Sequence, residues 1–294
     1  MKTIVFDIGG TSVKCGTCTD HTLSDLSSFP TNAYLGGPYI IDQVISFIKK
    51  HSDFDAIGIS TAGQVNAEEG SIIYANSNIP NYTGMQIKKE LETLFHVPIT
   101  VENDVNCAAL GESIYGSGKN YNDFLCLTYG TGVGGAIIQN NKIYHGSSFS
   151  AGEFGGIITH GSANLSAQNQ DVFCGCYERY ASTSALVRTL SAYDTSLVNG
   201  KLIFENLNRS EVKSFVDQWI DEILLGLATI IHIFNPSCIV LGGGIMAQSY
   251  IIEEIRKRLY VKIMPSFSHV EILGAALGNN AGMLGANYLA LEAL

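Results

Sequence analysis

The chain has 294 residues, 46% hydrophobic and 15% charged, with a formal net charge of −10. That excludes a disordered or fibrous chain and leaves room for two domains with separate cores. The acidic balance offers no basic footprint for nucleic acid or an anionic membrane, so a small-molecule partner is expected, and any phosphate bound must be held by local backbone donors and a metal.

Seven cysteines at 15, 18, 107, 126, 174, 176 and 238 do not resemble a disulfide framework, and reduced thiols fit a cytoplasmic protein. The N-terminus passes from Met1-Lys2 straight into the strand-like Thr3-Ile4-Val5-Phe6, so no export signal is expected. The most apolar stretch, 223–234, contains His232 and is too short to span a bilayer; it reads as a buried helix.

In chain order, residues 4–6 form a buried strand that ends at Asp7-Ile8-Gly9-Gly10-Thr11, and the alternating run 12–18 reads as the next strand. Helical spacing follows over 37–50, then a strand at 56–60, a loop at 76–82 and a helix at 85–95. Pro98 precedes a strand at 99–101 that delivers Glu102-Asn103-Asp104, and a helical run continues to Tyr115. Residues 116–120, rich in glycine and polar side chains, are the best linker.

A new strand at 124–128 opens the second half and ends in Gly130-Thr131-Gly132-Val133-Gly134-Gly135. The run 136–144, two apolar stretches around Asn140-Asn141, reads as a hairpin. A strongly apolar helix at 215–234 is stopped by Asn235-Pro236, and a strand at 238–241 runs into Gly242-Gly243-Gly244 and a helix at 248–259. The pattern is α/β, with expected domains at 1–117 and 118–294 and the last helix a candidate to pack back on the N-terminal domain. Strand, glycine turn and hairpin open both halves, which predicts a duplicated architecture with a ligand cleft between the domains.

The two glycine turns carry the chemistry. Glycine lets backbone N–H groups approach an anionic oxygen, successive N–H groups form an anion-binding concavity, and the threonine hydroxyls add donors. Asp7 is a candidate to hold magnesium beside the phosphates, directly or through water. Residues 130, 132 and 135 satisfy G-x-G-x-x-G, but a dinucleotide site needs a helix next, and here a hairpin follows. No G-x-x-x-x-G-K-[ST] pattern occurs, so a P-loop is not expected. Two phosphate cradles in one chain point to a kinase.

Together these motifs resemble the ROK family of sugar kinases, within the actin-like ATPase superfamily. The resemblance spans nearly the whole chain: the first turn, the segment 103–112, the second turn, then Gly152-Glu153-Phe154-Gly155, Gly175-Cys176-Tyr177-Glu178 and Asn235-Pro236 with Gly242 to Gly244. It implies a two-domain actin-like (ribonuclease H-like) fold and ATP- and magnesium-dependent transfer of the γ-phosphoryl group to a sugar hydroxyl, most often the 6-hydroxyl.

On that resemblance Asp104 is the candidate base, since a carboxylate within reach can orient a sugar hydroxyl and accept its proton. Its structural alternative is a helix N-cap. Glu153, Glu178 and Asn103 match the groups that hydrogen-bond sugar hydroxyls, and Asn78 lies in a loop resembling the sugar-facing segment. Asp7, Gly9, Gly10, Thr11 and Lys14 are assigned to the phosphates, as are Gly130, Thr131, Gly132 and Gly134; Gly242, Gly243 and Gly244 fall at the adenosine side. Lys14 reads equally well as a solvated strand lysine.

The chain departs from the family pattern at its zinc site. Gly156 stands where a histidine ligand is expected, and Asn169 and Asp171 fall where two of three cysteines would, leaving Cys176. Zinc needs about four ligands, so no structural zinc is expected, although Cys174 and His160 lie nearby. In family members that histidine lies against the sugar near the anomeric hydroxyl, so Gly156 vacates space for a second ring. A β-glucoside such as cellobiose is therefore the expected substrate. The alternatives are a simple hexose or N-acetylhexosamine, as in glucokinase or N-acetylmannosamine kinase types.

Other classes remain as alternatives. One is a sugar-responsive transcriptional regulator, for which the strand beginning at Thr3 leaves no preceding helix-turn-helix. Another is a sugar-binding or sugar-isomerising protein, which would not consume ATP. The resemblance also admits a homodimer.

Overall fold

The computed structural model describes residues 1–161 and 173–294. In chain order the elements are β1 (Lys2–Ile8), β2 (Ser12–Thr19), β3 (Thr22–Pro30), α1 (Gly37–Ile48), β4 (Ala56–Thr61), β5 (Gln64–Asn66), β6 (Ser71–Tyr74), α2 (Ile87–Phe95), β7 (Ile99–Asn103) and α3 (Asp104–Tyr115). There follow β8 (Phe124–Tyr129), β9 (Val133–Gln139), β10 (Lys142–Ile143), α4 (Glu178–Ala181), α5 (Thr183–Tyr193), α6 (Gly200–Glu205), α7 (Ser210–Phe234), β11 (Cys238–Gly242), α8 (Ser249–Leu259), β12 (Glu271–Gly274) and α9 (Ala281–Glu292).

Two compact units emerge. Met1–Lys119, Asn141–Ala151 and Asn279–Leu294 form the first, and Asn120–Asn140 with Gly152–Gly278 the second. The first break falls at 119/120, and the first unit also takes in 141–151 and the C-terminal segment that holds the last helix. Small residues explain the placement of α9. A Cβ on Gly285 would lie 1.9 Å from the Cys107 carbonyl oxygen, and one on Gly58 2.2 Å from that of Ala286, so α9 sits directly on α3 and β4. Thr3 Oγ1 donates to buried Asn287 Oδ1 at 2.7 Å and ties α9 to β1.

The first unit's sheet has the order β3-β2-β1-β4-β7. β1 pairs antiparallel with β2 and parallel with β4, which is parallel with β7. The inner strands are buried almost throughout, as parallel strands covered on both faces should be. Their core joins Ile4, Phe6, Ile57 and Ile59 to Ile40, Ile41 and Val44 of α1.

Within the second unit the strands run β9-β8-β11-β12. β8 is antiparallel to β9 and parallel to β11, the same hairpin-plus-parallel-strand arrangement as β2-β1-β4. The duplicated architecture is thus present in topology without a sequence repeat. Trp219, Ile220, Ile223 and Leu227 of α7 pack with Leu125, Leu127, Ile239 and Leu241 of the sheet. The α7 helix begins five residues before the predicted 215 and ends as predicted, with Asn235 in the left-handed conformation (φ 46°). Among the described residues no helix is long and apolar enough to cross a membrane.

Candidate active site

The first glycine turn links β1 to β2. Gly9 N–H donates to the Ser12 carbonyl at 3.1 Å, Thr31 Oγ1 donates to the Gly9 carbonyl at 2.7 Å, and Gly10 and Thr11 are exposed. Asp7, just before the turn, has both oxygens engaged: Ser60 Oγ donates to Oδ1 at 2.8 Å and Lys14 Nζ pairs with Oδ2 at 3.0 Å. Lys14 is therefore a partner of Asp7 and not a solvated strand lysine. Gly282 brings the start of α9 onto this pair, since a Cβ there would lie 3.0 Å from both Asp7 Oδ1 and Ser60 Oγ.

The Asn103-Asp104 step joins β7 to α3. Asn103 is the helix N-cap, its Oδ1 accepting from the N–H groups of Val105 (2.9 Å) and Asn106 (3.1 Å), while Asp104 occupies the first helical position. The capping role predicted as the alternative for Asp104 thus falls to its neighbour. Asn103 Nδ2 donates to Asp104 Oδ1 at 3.0 Å and to the Gly63 carbonyl at 2.9 Å, so its amide is engaged within the protein. Val105 N–H also donates to Asp104 Oδ1, at 2.9 Å.

Both bonds reach the same carboxylate oxygen, Oδ1. Burial, with the charge of Asp7 second, pushes the Asp104 carboxyl up to about 7, against hydrogen bonds from Val105 and Asn103 that lower it. A carboxyl near neutrality suits a general base working at physiological pH. Tyr82 also lies in the field of Asp104; it is fully buried, with its hydroxyl 2.6 Å from Thr61 Oγ1. Asn78 sits on the exposed turn before Tyr82, its N–H donating to Asn76 Oδ1 at 3.1 Å.

In the second unit, the turn after β8 is held by α5: Ser184 N–H donates to the Gly130 carbonyl at 3.2 Å, and Thr183 Oγ1 to the Tyr129 carbonyl at 3.0 Å. Gly130 and Thr131 line a cavity of about 680 Å³ whose other walls include Arg188, Lys201, Gly244 and Ile245. The second and third glycine turns thus share one cavity. Gly243 has φ 99°, and a Cβ there would lie 2.3 Å from the Tyr129 carbonyl oxygen, so only glycine permits this approach. Gly242 is buried at the end of β11, and Gly134 lies within β9 beyond the turn.

Glu178 opens α4 and directs its carboxylate between two glycines. A Cβ on Gly132 would lie 2.4 Å from its Oε2, one on Gly155 3.1 Å away, and Val133 N–H donates to it at 3.4 Å. Glu153 is exposed and precedes the short turn Phe154–Gly156. At Gly156 a Cβ would meet nothing within 4 Å.

Of the positions weighed for zinc, Asn169 and Asp171 lie outside the described residues. Cys176 is buried, its Sγ 3.4 Å from the Gly156 carbonyl, and Cys174 is exposed. His160 stacks on Tyr180 at 3.8 Å and lies 3.4 Å from Glu222 Oε2. Among the described residues no three His, Cys, Asp or Glu side chains cluster as metal ligands.

Sequence reasoning missed Ser60, Tyr82 and the start of α9. Ser60-Thr61 had a signal: ligand sites in open α/β sheets lie at the carboxyl ends of parallel strands, which is where β4 ends.

A family model described as ROK family matches residues 3–293. The chain belongs to the ROK family. A beta-glucoside kinase from Listeria monocytogenes is 31% identical over 99% of this chain and 98% of its own length. Among solved structures, the Lmo2764 protein of Listeria monocytogenes matches with a TM-score of 0.89 at 29% identity, over 99% of both chains. A ROK family glucokinase from Streptomyces griseus, solved with glucose and AMPPNP, matches with a TM-score of 0.85 at 29% identity, covering 99% of this chain and all of that one. These likenesses give this ROK chain the actin-like ATPase fold expected from its motifs.

Proposed function

We propose that this ROK protein is an ATP-dependent sugar kinase that transfers the γ-phosphoryl group to the 6-hydroxyl of a β-glucoside such as cellobiose. One observation carries the chemistry: Asp104 is half-buried beside Asp7, with one carboxylate oxygen fixed and its carboxyl held near 7. In this reading Asp104 orients the sugar hydroxyl and takes its proton as the bond to phosphorus forms. Glu178, Glu153 and Asn78 bind sugar hydroxyls, while Asn103, whose side chain is engaged by Gly63, Asp104, Val105 and Asn106, holds Asp104 in place. The turns at Gly10-Thr11 and Gly130-Thr131, whose residues are exposed, bind phosphates, with the Gly130 N–H held by the Gly132 carbonyl at 3.0 Å to shape the second turn, and the cavity under Gly244 takes the adenosine. The beta-glucoside kinase name of one relative and the glucose and AMPPNP bound to the glucokinase support this reading.

Magnesium, when bound, would neutralise phosphate charge. Asp7 fits it best through water, because its oxygens are already engaged by Ser60 and Lys14. The disaccharide preference rests on the open space at Gly156. An ADP-release assay over hexoses, N-acetylhexosamines and β-glucosides tests it. Cellobiose is expected to exceed glucose in kcat/KM by about tenfold or more, in the range that a single pocket contact supplies. A preference for free glucose would overturn the substrate assignment.

A further inference from the structure

His145 lies in the segment 141–151 that packs with the first unit, and its Nε2 reaches Glu102 Oε2 at 2.6 Å. Glu102 is 2% exposed, and its other oxygen accepts from the Asn103 N–H at 2.8 Å and from Asn106 Nδ2 at 2.9 Å. Asn103 in turn caps α3 and donates to Asp104. One buried carboxylate therefore fixes the strand-to-helix junction that carries the base, and its only cationic partner among the described ion pairs is His145. Removing one side of a buried charge pair leaves the other uncompensated.

We infer that His145 is a positioning residue for phosphoryl transfer, its ion pair with Glu102 holding Asn103 and Asp104 in the geometry that accepts the sugar proton. The inference rests on the assignment of Asp104 as base.

The hydrogen bond and charge of Glu102 raise the His145 ring above its ordinary value, with Glu68 from the β5–β6 turn adding to the shift and burial opposing it. The charged groups facing the ring are thus Glu102 on β7 and Glu68; Cys107 on α3 shares the field of Glu102. The paired form is the protonated one, so turnover should fall as alkaline pH removes the His145 proton.

The test combines His145→Ala, His145→Gln and Asp104→Asn, assayed with the best sugar of the acceptor panel across pH. His145→Ala should lower kcat about tenfold with KM for sugar and ATP within twofold. His145→Gln, which still donates to Glu102, should recover most of kcat at neutral pH and flatten the alkaline limb. Wild-type kcat in His145→Ala, or an unchanged alkaline limb in His145→Gln, overturns the inference. Should the alanine variant not fold, the glutamine variant decides alone. Independently of any substrate, the His145 ring signal followed by NMR should titrate above the ordinary histidine range, and a value at or below that range also overturns it. An active Asp104→Asn enzyme would instead strike the base assignment, so the two failures are distinguishable.

Discussion

At the scale of single residues, Asp104 carries an electrostatic cost that can be measured without any substrate. Its carboxyl is pushed from the ordinary 3.8 up to about 7 by burial and by Asp7. Between those values the folded chain keeps a proton that the unfolded chain has lost, so folding loses stability as pH rises through this window. At about 1.4 kcal/mol per pKa unit, the loss above pH 7 is on the order of 2 to 4 kcal/mol. Asp104→Asn keeps an oxygen for Asn103 and Val105 and carries no charge. In metal-free buffer it should therefore melt above the wild type at pH 8, with the gap closing toward pH 4; an equal gap at both pH values would count against the shift. Gly156 gives a second residue-scale prediction. With open space beyond its Cα, Gly156→His should fold normally and lower kcat/KM on cellobiose about tenfold more than on glucose, whereas an equal loss on both sugars would place the second ring elsewhere.

At the scale of elements, the sequence was most readable where local chemistry decides the structure. The β1 and β8 strands end in their glycine turns, the Asn140-Asn141 turn has positive φ at both residues, and α3 runs from Asp104 to Tyr115 as its pattern predicts. The α9 helix was least readable because it is buried on nearly every face and shows no amphipathic stripe. Its place is set by glycines that let backbones touch, an interaction with no periodic signature. Gly285→Ala forces α9 away from Cys107, and overpacking at such a contact costs about 1–3 kcal/mol, so chemical denaturation should show a loss of that size. Because the start of α9 also abuts Asp7 and Ser60, the same variant should lose activity beyond what its melting temperature explains. A variant as stable as the wild type would show that the helix shifts freely.

For the whole molecule, the fold class and the order of the site motifs could be read from the residues. The last helix was a candidate for the first unit, but the allocation of 141–151 to it could not be read, because tertiary packing of a distant segment determines it. The partners of Asp7 and Glu102 were hidden for the same reason: Ser60 and His145 reach them across 53 and 43 positions of chain. Each unit nevertheless carries its own share of the proposed chemistry, the base in the first and the nucleotide cavity in the second. A substitution that stops the reaction in the first unit should therefore leave nucleotide binding in the second intact. The most direct test compares ATP-dependent phosphorylation of cellobiose by wild type and Asp104→Asn, with ATP and sugar affinities measured by calorimetry on both. The predicted result is a fall in kcat of about two or more orders of magnitude with both affinities within about threefold of wild type. An Asp104→Asn protein that keeps most of its turnover would contradict the account.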